Sequence, residues 1–133
     1  MAKKTIHESG KRKKAIARAT LKEGTGKVFI NGVALDIYGQ RIFRQRISEP
    51  MILAGDIAKK IDIKVSVNGG GNAGQADAIR LAIAKALSEH NNSLRDVFME
   101  YDRQLLVADV RQKEVRKPNS QGQARAKRQK SYR

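Results

Sequence analysis

Residues 63–90 read IKVSVNGGGNAGQADAIRLAIAKALSEH, and the hydrophobic period changes in the middle of the stretch. Ile63, Val65 and Val67 alternate with polar residues, as on a half-buried β-strand, whereas Ile79, Ile83 and Leu87 recur at helical spacing. The change falls at Gly69, Gly70 and Gly71, which predicts a strand, a glycine loop and a helix in that order. Asn72 followed three residues later by Gln75 has the form of a capping box, and Asp77 adds negative charge where the helix dipole favours it. The helix is therefore predicted to start near Ala73.

A glycine loop running into a helix N-terminus aims backbone N–H groups at one spot, and such a spot suits a phosphate. Gly69, Gly71 and Gly74 spell G-x-G-x-x-G, and Gly69 with Gly74 spells the first half of a P-loop. Neither nucleotide motif is complete. Gln75 and Ala76 stand where a P-loop needs Lys and Ser/Thr, and no second parallel strand with an acidic tip follows. The alternative reading is structural: the glycines make a tight turn and let helix and strand pack closely.

The formal net charge of +15 is unevenly spread. Residues 1–18 carry +6 and residues 111–133 carry +8, while the 92 residues between them carry only +1. A near-neutral body thus bears two basic arms, which repel themselves and are expected to stay extended until a polyanion neutralises them. Nucleic acid is the first candidate. A membrane surface fits less well, because Val110 and Val115 are the only sizeable aliphatic side chains of the tail. A chain of 133 residues is expected to form one domain with a modest core. There is no cysteine for a disulfide, a thiolate zinc site or a thiol nucleophile. The apolar runs fall far short of the ~18 residues of a membrane span, no signal-peptide core is evident, and a reducing cytoplasm is the expected compartment.

Along the chain, residues 5–9 alternate weakly as a short strand that Gly10 is expected to end. Lys11, Arg12, Lys13 and Lys14 form a basic run placed as a phosphate clamp at a hairpin. In residues 15–21 Ala15, Ala17, Ala19 and Leu21 face one way, and this alternation favours a strand over the helix that alanine would allow. Residues 23–26 are a turn, residues 27–30 a strand, and Asn31-Gly32 a hairpin turn. Residues 33–38 start a helical turn and residues 41–53 are helical, with Pro50 expected to open a second short helix. Arg41, Arg44 and Arg46 are candidates for phosphate contact. Ser93 begins another helix with Val97, Phe98 and Tyr101 to pack, and Leu105, Leu106 and Val107 can dock on the body. Beyond Asp109 the composition is that of a tail.

GKRKKAIARATLKEGTGKVFINGVALDIY, VNGGGNAGQADAIRLAIAKAL and the ending QARAKRQKSYR, in this order, resemble the universal ribosomal small-subunit protein nine family. The likeness runs from about residue 5 onward, and Lys130-Ser131-Tyr132-Arg133 is closest to its archaeal and eukaryotic branch. The resemblance implies an α+β, two-layer fold: a four-stranded mixed sheet with helices on one face and a left-handed β-α-β crossover, forming a body over residues 1–108 with an extended basic tail over residues 109–133. It implies a structural constituent of the small-subunit head that binds small-subunit ribosomal RNA, neighbours other head proteins and reaches the peptidyl-site tRNA with its tail. No enzyme activity, cofactor, metal or membrane partner is implied.

With the charge pattern, the resemblance nominates an rRNA-binding set. In the body these are Lys11, Arg12, Lys13, Lys14, Arg18, Arg44, Gly69, Gly70, Gly71, Asn72, Gly74 and Gln75. In the tail they are Arg111, Lys113, Arg116, Lys117, Arg125, Lys127 and Arg128. Lys130, Ser131, Tyr132 and Arg133 are nominated for tRNA: the 23 residues from Arg111 can span on the order of 75 Å when extended. Gln123 and Pro118-Asn119-Ser120 depart from the family's tail spacing. Two other functions compete. A nucleotide enzyme would use the glycine loop, but His7 and His90 stand alone without a nucleophile to pair with; a DNA-compacting protein would share the basic arms, and the nucleic acid that co-purifies would distinguish it.

Overall fold

The computed structural model describes residues 5–111 and Pro118. Strand β1 (Ile6–Arg12) turns back into β2 (Ala15–Glu23), and β3 (Val28–Ile30) turns into the two-residue β4 (Val33–Ala34). A 3₁₀ turn (Leu35–Ile37), helix α1 (Arg41–Ala54) and a second 3₁₀ stretch (Gly55–Lys60) lead into β5 (Ile61–Asn68). Helices α2 (Asn72–His90) and α3 (Ser93–Tyr101) complete the body, with a last 3₁₀ turn at Arg103–Leu105.

The sheet order is β1-β2-β5-β3-β4, antiparallel throughout except for β3 beside β5. The fold is the expected α+β mixed sheet, with β4 as a short fifth strand beside the four expected. The parallel pair requires a crossover, and α1 supplies it. Alternation in β2 turns Ala15, Ala17, Ala19 and Leu21 inward to full burial. Above them lie Ile79, Ile83 and Leu87 of α2, all at 0% exposure, each contributing about 1.5–3 kcal/mol by leaving water. No helix among the described residues is long and apolar enough to cross a membrane.

Several sequence expectations are corrected. Gly10 does not end β1, which runs on to Arg12. A Cβ there would stand 2.2 Å from the carbonyl oxygen of Ala78, so the glycine lets α2 rest directly on the strand. Pro50 does not open a second helix: α1 passes through it, with the proline ring buried in the core, where packing outweighs the missing hydrogen bond. In α3 it is Leu94 and Phe98 that are buried, while Val97 and Tyr101 are 41% and 56% exposed. A helix this short turns a single stripe to the core. Leu105 docks fully and Leu106 partly, but Val107 remains exposed.

Two side chains fix β5, one at each end. Asn31, at φ 50 in the β3–β4 turn, accepts from the Val67 amide at 2.9 Å and donates to the Val67 carbonyl at 3.1 Å, extending the pairing of β5 beyond the end of β3. At the other end Asp62 accepts from the amides of Thr25 and Lys27, both at 3.0 Å. These amides hold its carboxyl below the ordinary 3.8, the Lys27 bond contributing most and the Thr25 bond next. A depressed carboxylate adds stability above the unfolded-state value and loses it as pH falls through the lower folded-state value. Stability should therefore drop as pH falls below about 3.8, and Asp62→Asn, which keeps an acceptor oxygen, should flatten that drop in urea melts followed against pH.

Candidate nucleic-acid interface

The β1–β2 hairpin pairs Arg12 with Ala15 and leaves Lys13 and Lys14 as its two-residue turn. Lys13 sits in the left-handed region at φ 55, where a side chain with a Cβ is unfavourable, and both lysines are exposed. The hairpin tip lies against the glycine loop. Gly69 and Gly70 have φ 79 and 66; a Cβ at Gly69 would meet the Lys14 carbonyl oxygen at 2.6 Å, and one at Gly70 the Ala15 amide at 3.0 Å. These two glycines serve the turn and the close approach of the hairpin. Gly71 differs: it is the N-cap of α2 at φ −98 and ψ 176, and a Cβ on it would touch nothing within 4 Å.

The predicted capping box does not form. Asn72 is the first helical residue, no side chain caps the helix, and Gln75 turns back to donate from Nε2 to the Gly69 carbonyl at 3.1 Å. The first helical turn therefore has bonded only the Gln75 amide, to the Gly71 carbonyl at 2.9 Å. Among the described residues no acceptor meets the amides of Asn72, Ala73 and Gly74. Such amides favour an anion.

A groove of about 910 Å³ opens at this point, lined by Arg12, Lys13, Lys14, Gly70, Gly71, Asn72, Ala73, Gly74 and Arg111. It joins the predicted basic hairpin, the predicted loop and the first tail cation. Arg12 is not a free cation: its Nη1 meets Asp109, and its Nε lies 3.8 Å from Asp77, which also pairs with Arg46 at 3.1 Å. Asp109, only 11% exposed, further accepts from the Arg111 amide at 2.9 Å and guanidinium at 2.7 Å. Asp109 thus ties the start of the tail to the hairpin.

The remaining nominated residues lie elsewhere. Lys11 and Arg18 stand exposed on the sheet face away from the helices, and Arg44 donates to the Asp36 carbonyl. Arg46 is spent on Asp77, and Gly69 and Gln75 shape the loop without lining the groove. Lys113, Arg116, Lys117, Arg125, Lys127, Arg128, Lys130, Ser131, Tyr132 and Arg133 lie outside the described residues. Sequence reasoning missed Ala73 and the bridging roles of Asp77 and Asp109. The Arg12–Asp109 pair spans 97 positions, and no local pattern signals it. Among the described residues no group of three or more His, Cys, Asp or Glu is arranged to hold a metal ion.

Comparison with known proteins bears on what such a groove serves. The family model described as ribosomal protein S9/S16 matches residues 10–133. The chain belongs to the ribosomal protein S9/S16 family. Among its relatives, the small ribosomal subunit protein uS9 of Picrophilus torridus is 52% identical over 130 residues, covering 96% of this chain and 97% of that protein. The uS9 proteins of Methanothrix thermoacetophila and Thermoplasma acidophilum are 49% and 51% identical, covering 98% and 94% of this chain and 99% and 98% of those proteins. S9/S16 membership at this identity bears out the resemblance read from the sequence, including its archaeal-type form.

Within this family member the glycines separate into two kinds. Gly70→Ala should destabilise the free protein by about 1–2 kcal/mol, the cost of a side chain in the left-handed region. Gly71→Asp should leave thermal stability unchanged or slightly raised, because aspartate is a favoured N-cap and its charge suits the helix dipole. Thermal melts of the two variants check both signs.

Proposed function

We propose that the chain is a structural constituent of the small ribosomal subunit, in the cytoplasm, and that its groove holds the ribosomal RNA backbone. The observation that carries this is the convergence of Lys13, Lys14, Arg111 and three helix-start amides on one groove in a ribosomal-family protein. A phosphate seated there would accept from the amides of Asn72, Ala73 and Gly74, with the two lysines as point charges beside it. Arg12 acts by position: held by Asp77 and Asp109, it sets the hairpin tip over the loop.

We assign the glycine loop no nucleotide chemistry. Gln75 is occupied with the Gly69 carbonyl where a P-loop would place its lysine. Body and tail divide the work, with residues 1–108 docking on RNA of the subunit head among neighbouring head proteins and residues 109–133 adding Arg111 to the groove and carrying further contacts beyond it. Lys113, Arg116, Lys117, Arg125, Lys127 and Arg128 extend the phosphate contacts of Arg111. Lys130, Ser131, Tyr132 and Arg133 meet the peptidyl-site tRNA, where the Arg133 guanidinium can grip a phosphate through two N–H groups and Tyr132 can stack on a base or ribose.

Gly71→Asp should weaken binding to small-subunit ribosomal RNA at least tenfold in filter or gel-shift titrations while the fold melts normally. Lys13→Gly, which relieves the left-handed strain, should weaken it too without loss of stability. Unchanged affinity in both variants would remove the groove from the RNA interface. Separately, trimming residues 131–133 should leave subunit assembly intact and speed dissociation of tRNA from the peptidyl site of assembled subunits. An unchanged tRNA dissociation rate would sink that contact.

A further inference from the structure

Among the described residues the helices cover one face of the sheet and nothing covers the other. On that bare face the register sets Lys11 opposite Ile16, Arg18 between Ser9 and Ser66, and Lys64 between Thr20 and Phe29. Each cation is thus flanked by neutral neighbours. Successive cations lie one strand across and two residues along, a diagonal step of about 7–8 Å. That is the scale of the spacing between successive phosphates of one nucleic-acid strand.

Several arginines off this face are committed to carboxylates. Arg12, Arg46, Arg80 and Arg111 all have carboxylate partners, and Glu49, Asp77, Asp102 and Asp109 are used up in making them. Among the described residues Lys11, Arg18 and Lys64 make no such pair. Asp62, the carboxylate on the same face of β5, is turned to the amides of Thr25 and Lys27. Two of the three, Lys11 and Arg18, belong to the basic segment 1–18, so this diagonal brings positive charge without a paired carboxylate onto one open face.

We propose that the bare sheet face is a second RNA-binding surface, on which Lys11, Arg18 and Lys64 follow one phosphodiester strand obliquely across β1, β2 and β5. It rests on the reading of the chain as an rRNA-binding protein, but not on the groove. The exposed Ser9 and Ser66 hydroxyls flank the track and suit phosphate oxygens or 2′-hydroxyls. Phe29, half-buried beside Lys64, offers a ring on which a base can stack.

The test compares the full-length protein with the double variant Arg18→Thr/Lys64→Thr, since threonine suits exposed strand positions. Binding to small-subunit ribosomal RNA transcribed in vitro is measured across salt concentrations. Losing two phosphate contacts should make the slope of log affinity against log salt shallower by about 1.5. The charge-preserving double variant Arg18→Lys/Lys64→Arg should keep the original slope. An unchanged slope in the threonine variant overturns the sheet surface; if Gly71→Asp still weakens binding, the groove reading survives that failure, and if it does not, the groove fails on its own account. Impaired incorporation into subunits with an unchanged slope would assign the face to an acidic protein and likewise overturn the proposal.

Discussion

Helix α2 lies so close to β1 and β2 that no side chain fits between them at Gly10, where the helix backbone at Ala78 and Ala82 would stand 2.2 and 2.7 Å from an added Cβ. The smallest residues are buried on both sides of this approach, Ala15, Ala17 and Ala19 in the sheet and Ala76, Ala78 and Ala82 in the helix. Larger side chains would lift the helix and with it the glycine loop that feeds it. Because the loop is held down, its Gly69 and Gly70 backbone meets the hairpin at Lys14 and Ala15, and Lys13, Lys14 and the first helical amides come to share one groove. The proposed phosphate site is therefore a by-product of close packing: backbone approaches backbone, and donors that would otherwise be covered stay open.

Electrostatics then sorts the cations by task. An arginine guanidinium presents a fork of donors, so one side chain can join two carboxylates. Arg12 joins Asp77 and Asp109, and Arg80 joins Glu49 at 2.6 Å and Asp102 at 3.1 Å. These bridges tie α1, α2 and the segment after α3 to the hairpin at partly exposed positions, where each pair alone adds little stability and geometry is the main gain. The lysines of the tip are point charges that, among the described residues, pair with no carboxylate, which suits the outside anion proposed for the groove.

The pattern of residues 15–21, the Asn31-Gly32 turn and the change of period at Gly69 are all visible in sequence because each depends on neighbours a few positions away. The hairpin, the strand-loop-helix unit and the basic tip were legible for that reason. Gly10 and Pro50 misled, since what decides them is the approach of a distant element: α2 in one case, core burial of the ring in the other. Asn72 and Gln75 matched a capping motif by spacing alone, yet Gln75 found a better acceptor in the loop at Gly69. Arg12 read as one of four equal basic residues, and only the folded chain shows it committed to Asp109, 97 positions away. Local chemistry is written locally; the assignment of a charge to structure or to ligand is not.

That assignment also bears on how the tail is presented. Asp109 is the last carboxylate before the basic segment, and it accepts from the Arg111 amide and guanidinium while holding Arg12. Without it, Arg12 and Arg111 would repel each other across the groove, and the start of the tail would have no reason to stay beside the hairpin. With it, one largely covered carboxylate offsets two guanidinium groups, so the groove keeps a net positive charge while its two arginines are fixed in place. An anion arriving at the helix start then meets a hairpin tip already held over the loop, so the backbone that presents Lys13 and Lys14 need not be reorganised to receive it, which lowers the entropy cost of binding. Arg111 lines the same groove, so on the proposed reading a strand seated there would meet the first cation of the tail segment beside the cations of the hairpin tip.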